Sequence, residues 1–240
     1  MNKELNIIAI VPARGGSKTI PRKNIRLLNG KPLIYYTIVE ALKSRFIGRI
    51  IVSTEDDEIA QIGKKYGAQV IVRPPQLAQD DTPSLPVFQH VIEYLEEAEG
   101  LVVETIVVLQ PTSPLRTAQD IDRAIQEFLE TGCDSVVSVC EVEHPPQWMY
   151  VLDHDKLKPL LKGGESITRR QDAPKLYRPN GAVYVTGRNI IMKKNKLLGR
   201  DTRPYIMPPE RSIDIDTPWD LYLADLVLRD RHGISTSSYQ

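Results

Sequence analysis

Five short apolar runs, at residues 5–11, 50–52, 70–72, 106–109 and 136–139, punctuate the first 140 residues, with helix-patterned stretches between them. No other feature constrains the fold as much. Runs of this kind suit strands buried on both faces of a sheet, and parallel neighbours need a crossover long enough for a helix. "KPLIYYTIVEALKS" places Leu33, Ile34, Ile38 and Leu42 on one helical face. "TEDDEIAQIGKKYG" offers Thr54 as a cap, Asp57 three positions on, and Gly67 as a stop. The stretches 84–100 and 117–132 each end in glycine in the same way. The alternation predicts an α/β chain, a doubly wound Rossmann-like sheet with helices on both faces and ligands at the carboxyl ends of its strands.

The rhythm breaks at Glu141. Residues 141–180 carry prolines, a Gly-Gly pair and scattered aromatics, and read as a small inserted subdomain. Alternation resumes at Ala182 to Val185, and "SIDIDTPWDLYLADLVLRD" reads as a short strand, a loop and a final helix. Thr217 caps that helix, Pro218 opens it and Asp220 closes the capping box. The expected organisation is an α/β unit of residues 1–140 and 181–232, a subdomain over 141–180, and a flexible tail over 233–240.

A length of 240 residues at 41% apolar content suffices to bury such a core. Lys plus Arg balances Asp plus Glu at 31 each, so no global field gathers nucleic acid or an anionic membrane, and neither is an expected partner. The apolar run near the N-terminus lacks an A-x-A site and leads into a basic loop, so it reads as a buried strand rather than a signal peptide. No run approaches the ~18 apolar residues of a membrane span. Cys133 and Cys140 form no CxxC and read as free thiols in a reducing compartment. A cytoplasmic location is expected.

Chemistry concentrates in three places. "VPARGGSKTIPRKN", Val11 to Asn24, follows the first strand and so lies at the ligand edge of the sheet. Its glycines, Gly15 and Gly16, admit backbone N–H groups to an anion, and Arg14, Lys18, Arg22 and Lys23 supply charge. It matches neither G-x-x-x-x-G-K-[ST] nor G-x-G-x-x-G, which removes the main support for a P-loop ATPase or a dehydrogenase. In "IDIDTPWD", Asp214 and Asp216 alternate with Ile213 and Ile215, so a strand would project both carboxylates to one face. Such a pair can hold Mg²⁺ whose remaining shell is water and phosphate oxygen, although Asp216 could equally be a turn residue before the Thr217 cap. In "LQPTSPLR", Gln110 sits at the end of the fourth strand, where its amide can read a hydroxyl or a carboxylate. Arg73 holds the equivalent place after the third strand, with Ser84 at the start of the next helix. Arg169, Arg170, Tyr177, Arg178 and Asn180 are weaker candidates, for an acidic sugar or a dimer contact. His144 and His154 read as structural or surface residues.

Taken in order, "PARGGSKTIPRKN", "RPPQLAQD", "LQPTSPLR", "RPNGAVYV" and "SIDIDTPWD" resemble the acylneuraminate cytidylyltransferase family, the CMP-sialic acid synthetases, over residues 5 to 228. The related octulosonate enzymes share the P-A-R opening but follow it with a different pattern. The resemblance implies a nucleotidyltransferase fold, a homodimer built through the small subdomain, Mg²⁺ dependence, and transfer of CMP from CTP to the anomeric oxygen of a nine-carbon 2-keto sugar acid. N-acetylneuraminate is the first expectation for that acid, with legionaminic and pseudaminic acids, then octulosonate, as alternatives. A nucleotide-binding regulatory module is the non-enzymatic one. The resemblance further implies that Arg14, Ser17, Lys18 and Lys23 bind the triphosphate and that Asn24, Arg73 and Ser84 help hold the cytidine part. By the same resemblance Gln110 and Tyr184 are expected to face the sugar, and Arg170 to reach the partner subunit's site. Catalysis falls to Arg14, Lys23 and Asp216, with Asp214 and Asp216 at the metal and Asp216, or water there, accepting the sugar proton. Two features of the family's N-acetylneuraminate enzymes are absent: a lysine near Trp148, and two phenylalanines near Leu197 and Leu198.

Overall fold

The first apolar run becomes β1 (Ile7–Pro12) in the computed structural model, which describes residues 6–163 and 169–231. A short hairpin follows, β2 (Leu27–Leu28) and β3 (Lys31–Pro32), turned by Asn29 and Gly30, both at positive φ as a tight two-residue turn requires. Next come α1 (Leu33–Leu42), β4 (Arg49–Thr54), α2 (Asp57–Lys65), β5 (Gln69–Val72), α3 (Ser84–Glu99), β6 (Thr105–Val108), α4 (Ala118–Thr131) and β7 (Ser135–Glu141). The expected alternation holds to this point. Beyond it, β8 (Tyr150–Asp153) and β9 (Lys156–Pro159) form a separate hairpin, and β10 (Tyr177–Gly187), α5 (Arg188–Met192), β11 (Thr202–Ile206) and α6 (Pro218–Arg231) follow. Because Glu141 belongs to β7 and Tyr177 to β10, the stretch between the sheet strands runs over residues 142–176.

Seven strands build the main sheet in the order β11-β7-β10-β6-β1-β4-β5. All neighbours are parallel except β10, which runs antiparallel to both β6 and β7. The chain winds from β1 to β4 and β5 on one side and crosses to β6 on the other. The carboxyl ends of β1 and β6 therefore flank the topological switch point, where open α/β sheets bind ligands. Side chains alternate along β1: Ile7, Ala9 and Val11 pack with residues of α1, α2 and α4, while Ile8 and Ile10 pack with those of α3 and α5. A third cluster joins Ile20, Leu28, Leu33, Leu115, Ile215, Ala224 and Leu228, fastening the basic loop and the aspartate segment to α6.

Several local expectations change. Asp56, not Thr54, caps α2, accepting the Ile59 N–H at 3.0 Å, because β4 runs on to Thr54 and buries it. The Thr54 hydroxyl instead accepts the Asp56 N–H at 3.1 Å. On α1 the inward face is Leu33, Ile34, Thr37, Ile38 and Ala41, and Leu42 turns outward. Residues 213–216 form no strand; the segment is tied down singly, as by the Ile215 N–H to the Thr112 carbonyl at 2.8 Å. The unanticipated β11 carries Pro204, which an edge strand tolerates because its missing N–H removes no ladder bond from the sheet. The α6 capping box forms as expected, with Thr217 and Asp220 exchanging bonds. Cys133 and Cys140 are free and buried. Among the described residues no helix is long and apolar enough to cross a membrane. The expected tail, 233–240, lies outside the described residues.

Candidate active site

After Pro12 the chain leaves the sheet as the basic loop, and its two glycines serve different ends. The Gly15 N–H donates to Glu55 Oε1 at 2.7 Å, and a Cβ on Gly15 would stand 2.6 Å from Asp56 Oδ2. Gly15 is small because the cap of α2 presses against it. A Cβ on Gly16 would meet nothing within 4 Å, and this residue faces the cleft. Arg22 sits at φ 57 and forks onto Asp56, at 2.9 Å to Oδ1, and onto Glu58 at 2.7 Å. That hydrogen bond from Arg22 holds the Asp56 carboxyl below its ordinary range. Arg22 thus pins the loop to α2, and three of the loop's four cations, Arg14, Lys18 and Lys23, line the cleft.

The cleft itself, about 490 Å³, opens at the switch point. Every residue expected to bind nucleotide lines it: Arg14, Ser17, Lys18, Lys23, Asn24, Arg73 and Ser84, together with Gln110 and Asp216. Asn24 Nδ2 donates to the Arg14 carbonyl at 2.9 Å, which fixes the loop's turn from within. Lys23 Nζ bridges the loop to the far end of the chain, at 2.9 Å from the Ile215 carbonyl and 3.1 Å from Asp216 Oδ1. Arg73 is buried and donates to the carbonyls of Ser53 and, at 3.3 Å, Leu77. Burial pulls its pKa down, and Glu55 opposes that pull.

The two aspartates differ. Asp216 is exposed and meets Lys23. Asp214 is half-buried, and burial first, then the like charge of Asp216, pushes its carboxyl up, against the Thr112 hydroxyl, Lys23 and Arg178. Its Oδ1 is buried and accepts no hydrogen bond from the described residues. A buried, donorless carboxylate oxygen beside a second carboxylate suits a hard cation. Among the described residues there is no group of three or more His, Cys, Asp or Glu that could hold a metal, so a cation here would have at most these two carboxylates and would complete its shell with other oxygens.

Beside Asp214 stand Gly181 and Arg116, neither expected from the sequence, and Asn180, a weaker candidate there, next to Gly181 in the chain. Gly181 adopts φ +73, and a Cβ there would lie 3.0 Å from Gln110 Oε1, 3.1 Å from Ser113 Oγ and 3.2 Å from Asp214 Oδ2. The register of β10 against β7 shifts between Pro179 and Tyr184, and Asn180 repairs the ladder. Its Oδ1 accepts from Ser138 Oγ at 2.6 Å and from the Ala182 N–H at 3.2 Å, and its Nδ2 donates to Ser212 Oγ at 2.8 Å. Arg116 is fully buried and donates to the Ala182 carbonyl at 2.6 Å, the Gln110 carbonyl at 2.9 Å and the Thr37 hydroxyl. Burial pulls its pKa down to about 9, which leaves it charged at neutral pH. The signal available in the sequence was the Asn-Gly pair inside an apolar strand, which marks a bulge.

Tyr184 and Arg170 lie off the cleft. Tyr184 is half-buried on β10, its hydroxyl pushed up by burial and then by the Asp214 charge. Arg170 is exposed on a short turn, lining a separate cavity of about 380 Å³ with Glu141, Pro145 and Lys175. Leu197 packs against the core on the α3 side.

A family model described as cytidylyltransferase matches residues 8–211. The CMP-N,N'-diacetyllegionaminic acid synthase of Legionella pneumophila is 36% identical over 231 residues, covering 93% of this chain and 97% of its own. The N-acylneuraminate cytidylyltransferase of Escherichia coli is 33% identical over 237 residues, 98% of this chain but 55% of that longer protein. A solved CMP:2-keto-3-deoxy-manno-octonic acid synthetase complexed with CTP superimposes with a TM-score of 0.71, covering 94% of this chain and 99% of that one. At 14% identity that likeness is one of fold.

Proposed function

The chain belongs to the acylneuraminate cytidylyltransferase family, and from that premise we propose that it transfers CMP from CTP to the anomeric oxygen of a sialic-acid-like nine-carbon 2-keto sugar acid. One observation carries the reading. A single cleft at the switch point gathers three cations of the basic loop, the buried Arg73, Gln110 and Asp216.

In this reading Arg14, Lys18 and Lys23 bind the triphosphate, with Ser17 beside them, while Asn24, Arg73 and Ser84 hold the cytidine half. Gln110, kept in place by Arg116 through its carbonyl, faces the sugar beside Gly181, and Tyr184, on β10 outside the cleft lining, is assigned to the sugar end. Asp216 accepts the anomeric proton as that oxygen bonds to the α-phosphorus and the bond to pyrophosphate breaks in line with it. Fixed donors on Arg14, Lys18 and Lys23 meet the charge that develops on pyrophosphate. Asp214 and Asp216 would hold Mg²⁺, supported by the donorless Asp214 Oδ1. When bound, the ion supplies charge screening for the phosphates.

The hairpin of β8 and β9 bares Tyr150, Val151, Leu152 and Leu157, at 50% to 70% exposure, on a two-stranded ribbon that belongs to no larger sheet. We read it as the homodimer contact, which would carry Arg170 towards the partner's cleft. The chain is read as a cytoplasmic enzyme that supplies activated sugar acids for surface polysaccharide.

N-acetylneuraminate is the first acceptor to test. N,N'-diacetyllegionaminate is the second, favoured by a relative covered over 97% of its length at 36% identity that is a synthase for its CMP conjugate, and by the absent lysine and phenylalanine pair. Initial rates with these two acids, pseudaminate and octulosonate, at fixed CTP and Mg²⁺, should rank a nine-carbon acid first. A higher kcat/KM for octulosonate would overturn the acceptor class.

A further inference from the structure

Each cation lining the cleft already has a carboxylate partner. Lys23 meets Asp216 at 3.1 Å, and Arg73 lies 3.7 Å from Glu55. Arg14 and Lys18 share one partner, with Arg14 Nη1 at 2.9 Å from Asp80 Oδ1 and Lys18 Nζ at 3.3 Å from Asp80 Oδ2. Arg14 Nη1 also donates to the neighbouring Gln79 carbonyl at 3.1 Å, so the loop between β5 and α3 is drawn across the mouth of the cleft. The other carboxylates have separate work: Glu55 accepts the Gly15 N–H, Asp214 is half-buried against Gly181, and Asp216 pairs with Lys23, which also holds the Ile215 carbonyl. Asp80 is half exposed, and it joins the two cations as a phosphate group would, one oxygen to each.

We propose that Asp80 is an affinity-setting residue, an internal counter-anion that fills the phosphate end of the cleft and competes with triphosphate and pyrophosphate for Arg14 and Lys18. The inference rests on the reading of this cleft as the triphosphate site. Exposed ion pairs of this kind are weak, so a triphosphate with several charges displaces the carboxylate, but binds less tightly than it would to uncompensated cations. The same competition acts on the product. Pyrophosphate, held by the same two cations, is displaced when Asp80 returns, and the loop from Ala78 to Pro83 moves with it. The turn is closed within itself by the Thr82 N–H on the Gln79 carbonyl at 3.2 Å, and Thr82 Oγ1 ties it to the Gln76 carbonyl at 3.0 Å.

The test is calorimetric titration of the full chain with CTP, inorganic pyrophosphate and cytidine, for the parent protein, Asp80→Asn and Asp80→Glu, with folding checked by thermal denaturation. Asp80→Asn should bind CTP and pyrophosphate roughly 3- to 10-fold more tightly, while Asp80→Glu matches the parent and cytidine affinity stays constant. Unchanged or weaker CTP binding by Asp80→Asn overturns the inference, as does a cytidine affinity that moves with it, which would mark a general disturbance of the loop. If Asp80→Asn fails to fold, Asp80→Ser carries the same expectations. A parent protein that binds no CTP overturns the functional reading itself, and this inference with it.

Discussion

Gly15 and Gly16 are neighbours of identical chemistry with opposite surroundings. Gly15→Ala drives a methyl group to 2.6 Å from Asp56 Oδ2, an oxygen that Arg22 holds in place, whereas Gly16→Ala enters open space. Urea unfolding should find Gly15→Ala less stable by about 1–3 kcal/mol. Gly16→Ala should unfold like the parent and yet bind CTP more weakly, since its methyl group stands in the cleft. Equal stability loss in both variants would contradict this division. Asp56 gives a second expectation. Because Arg22 depresses its folded pKa, its contribution is complete above the unfolded value of ~3.9 and is lost as the pH falls through the lower folded value. Between about pH 5 and 2, the stability advantage of the parent over Asp56→Asn should therefore shrink. The charge of the basic loop was legible in the sequence because it needs only composition and position. The separate roles of Gly15 and Arg22 were not, since both depend on Asp56, brought alongside by the pairing of β1 with β4.

At the scale of elements, the strands of the first half were legible because each is an apolar run bounded by helical patterning. The antiparallel course of β10 was not. Its apolar run, Ala182 to Val185, reads like that of a parallel strand, and direction is decided by the connection that delivers it. The aspartate segment was read as a strand from its alternation, but it pairs with no strand; Asp214 is half-buried and Asp216 exposed, and Lys23 takes the Ile215 carbonyl. What holds this segment is packing: Ile215 is fully buried in a cluster with Ile20 of the basic loop and Ala224 and Leu228 of α6. Ile215→Ala should cost about 2–5 kcal/mol by chemical denaturation. It should also weaken CTP binding, although Ile215 lines no part of the cleft, because both ends of the site lean on this cluster. Full CTP affinity in a destabilised Ile215→Ala would show that the cluster holds the fold alone.

For the whole molecule, the proposal that the exposed apolar ribbon of β8 and β9 is the homodimer contact makes a prediction about the assembly state. A protein that bares Leu152 and Leu157 at 70% and 66% should sediment as a dimer at micromolar concentration, and Leu152→Asp with Leu157→Asp should sediment as a monomer. A monomeric parent would contradict the reading of the hairpin. The central claim is the transfer of CMP, and phosphorus magnetic resonance follows it directly. With CTP, Mg²⁺ and N-acetylneuraminate or N,N'-diacetyllegionaminate, the triphosphate signals should give way one for one to a CMP phosphodiester and pyrophosphate, and Asp216→Ala should stop this without unfolding. Intact CTP with every nine-carbon acid, or its conversion to CDP and phosphate, would contradict the account.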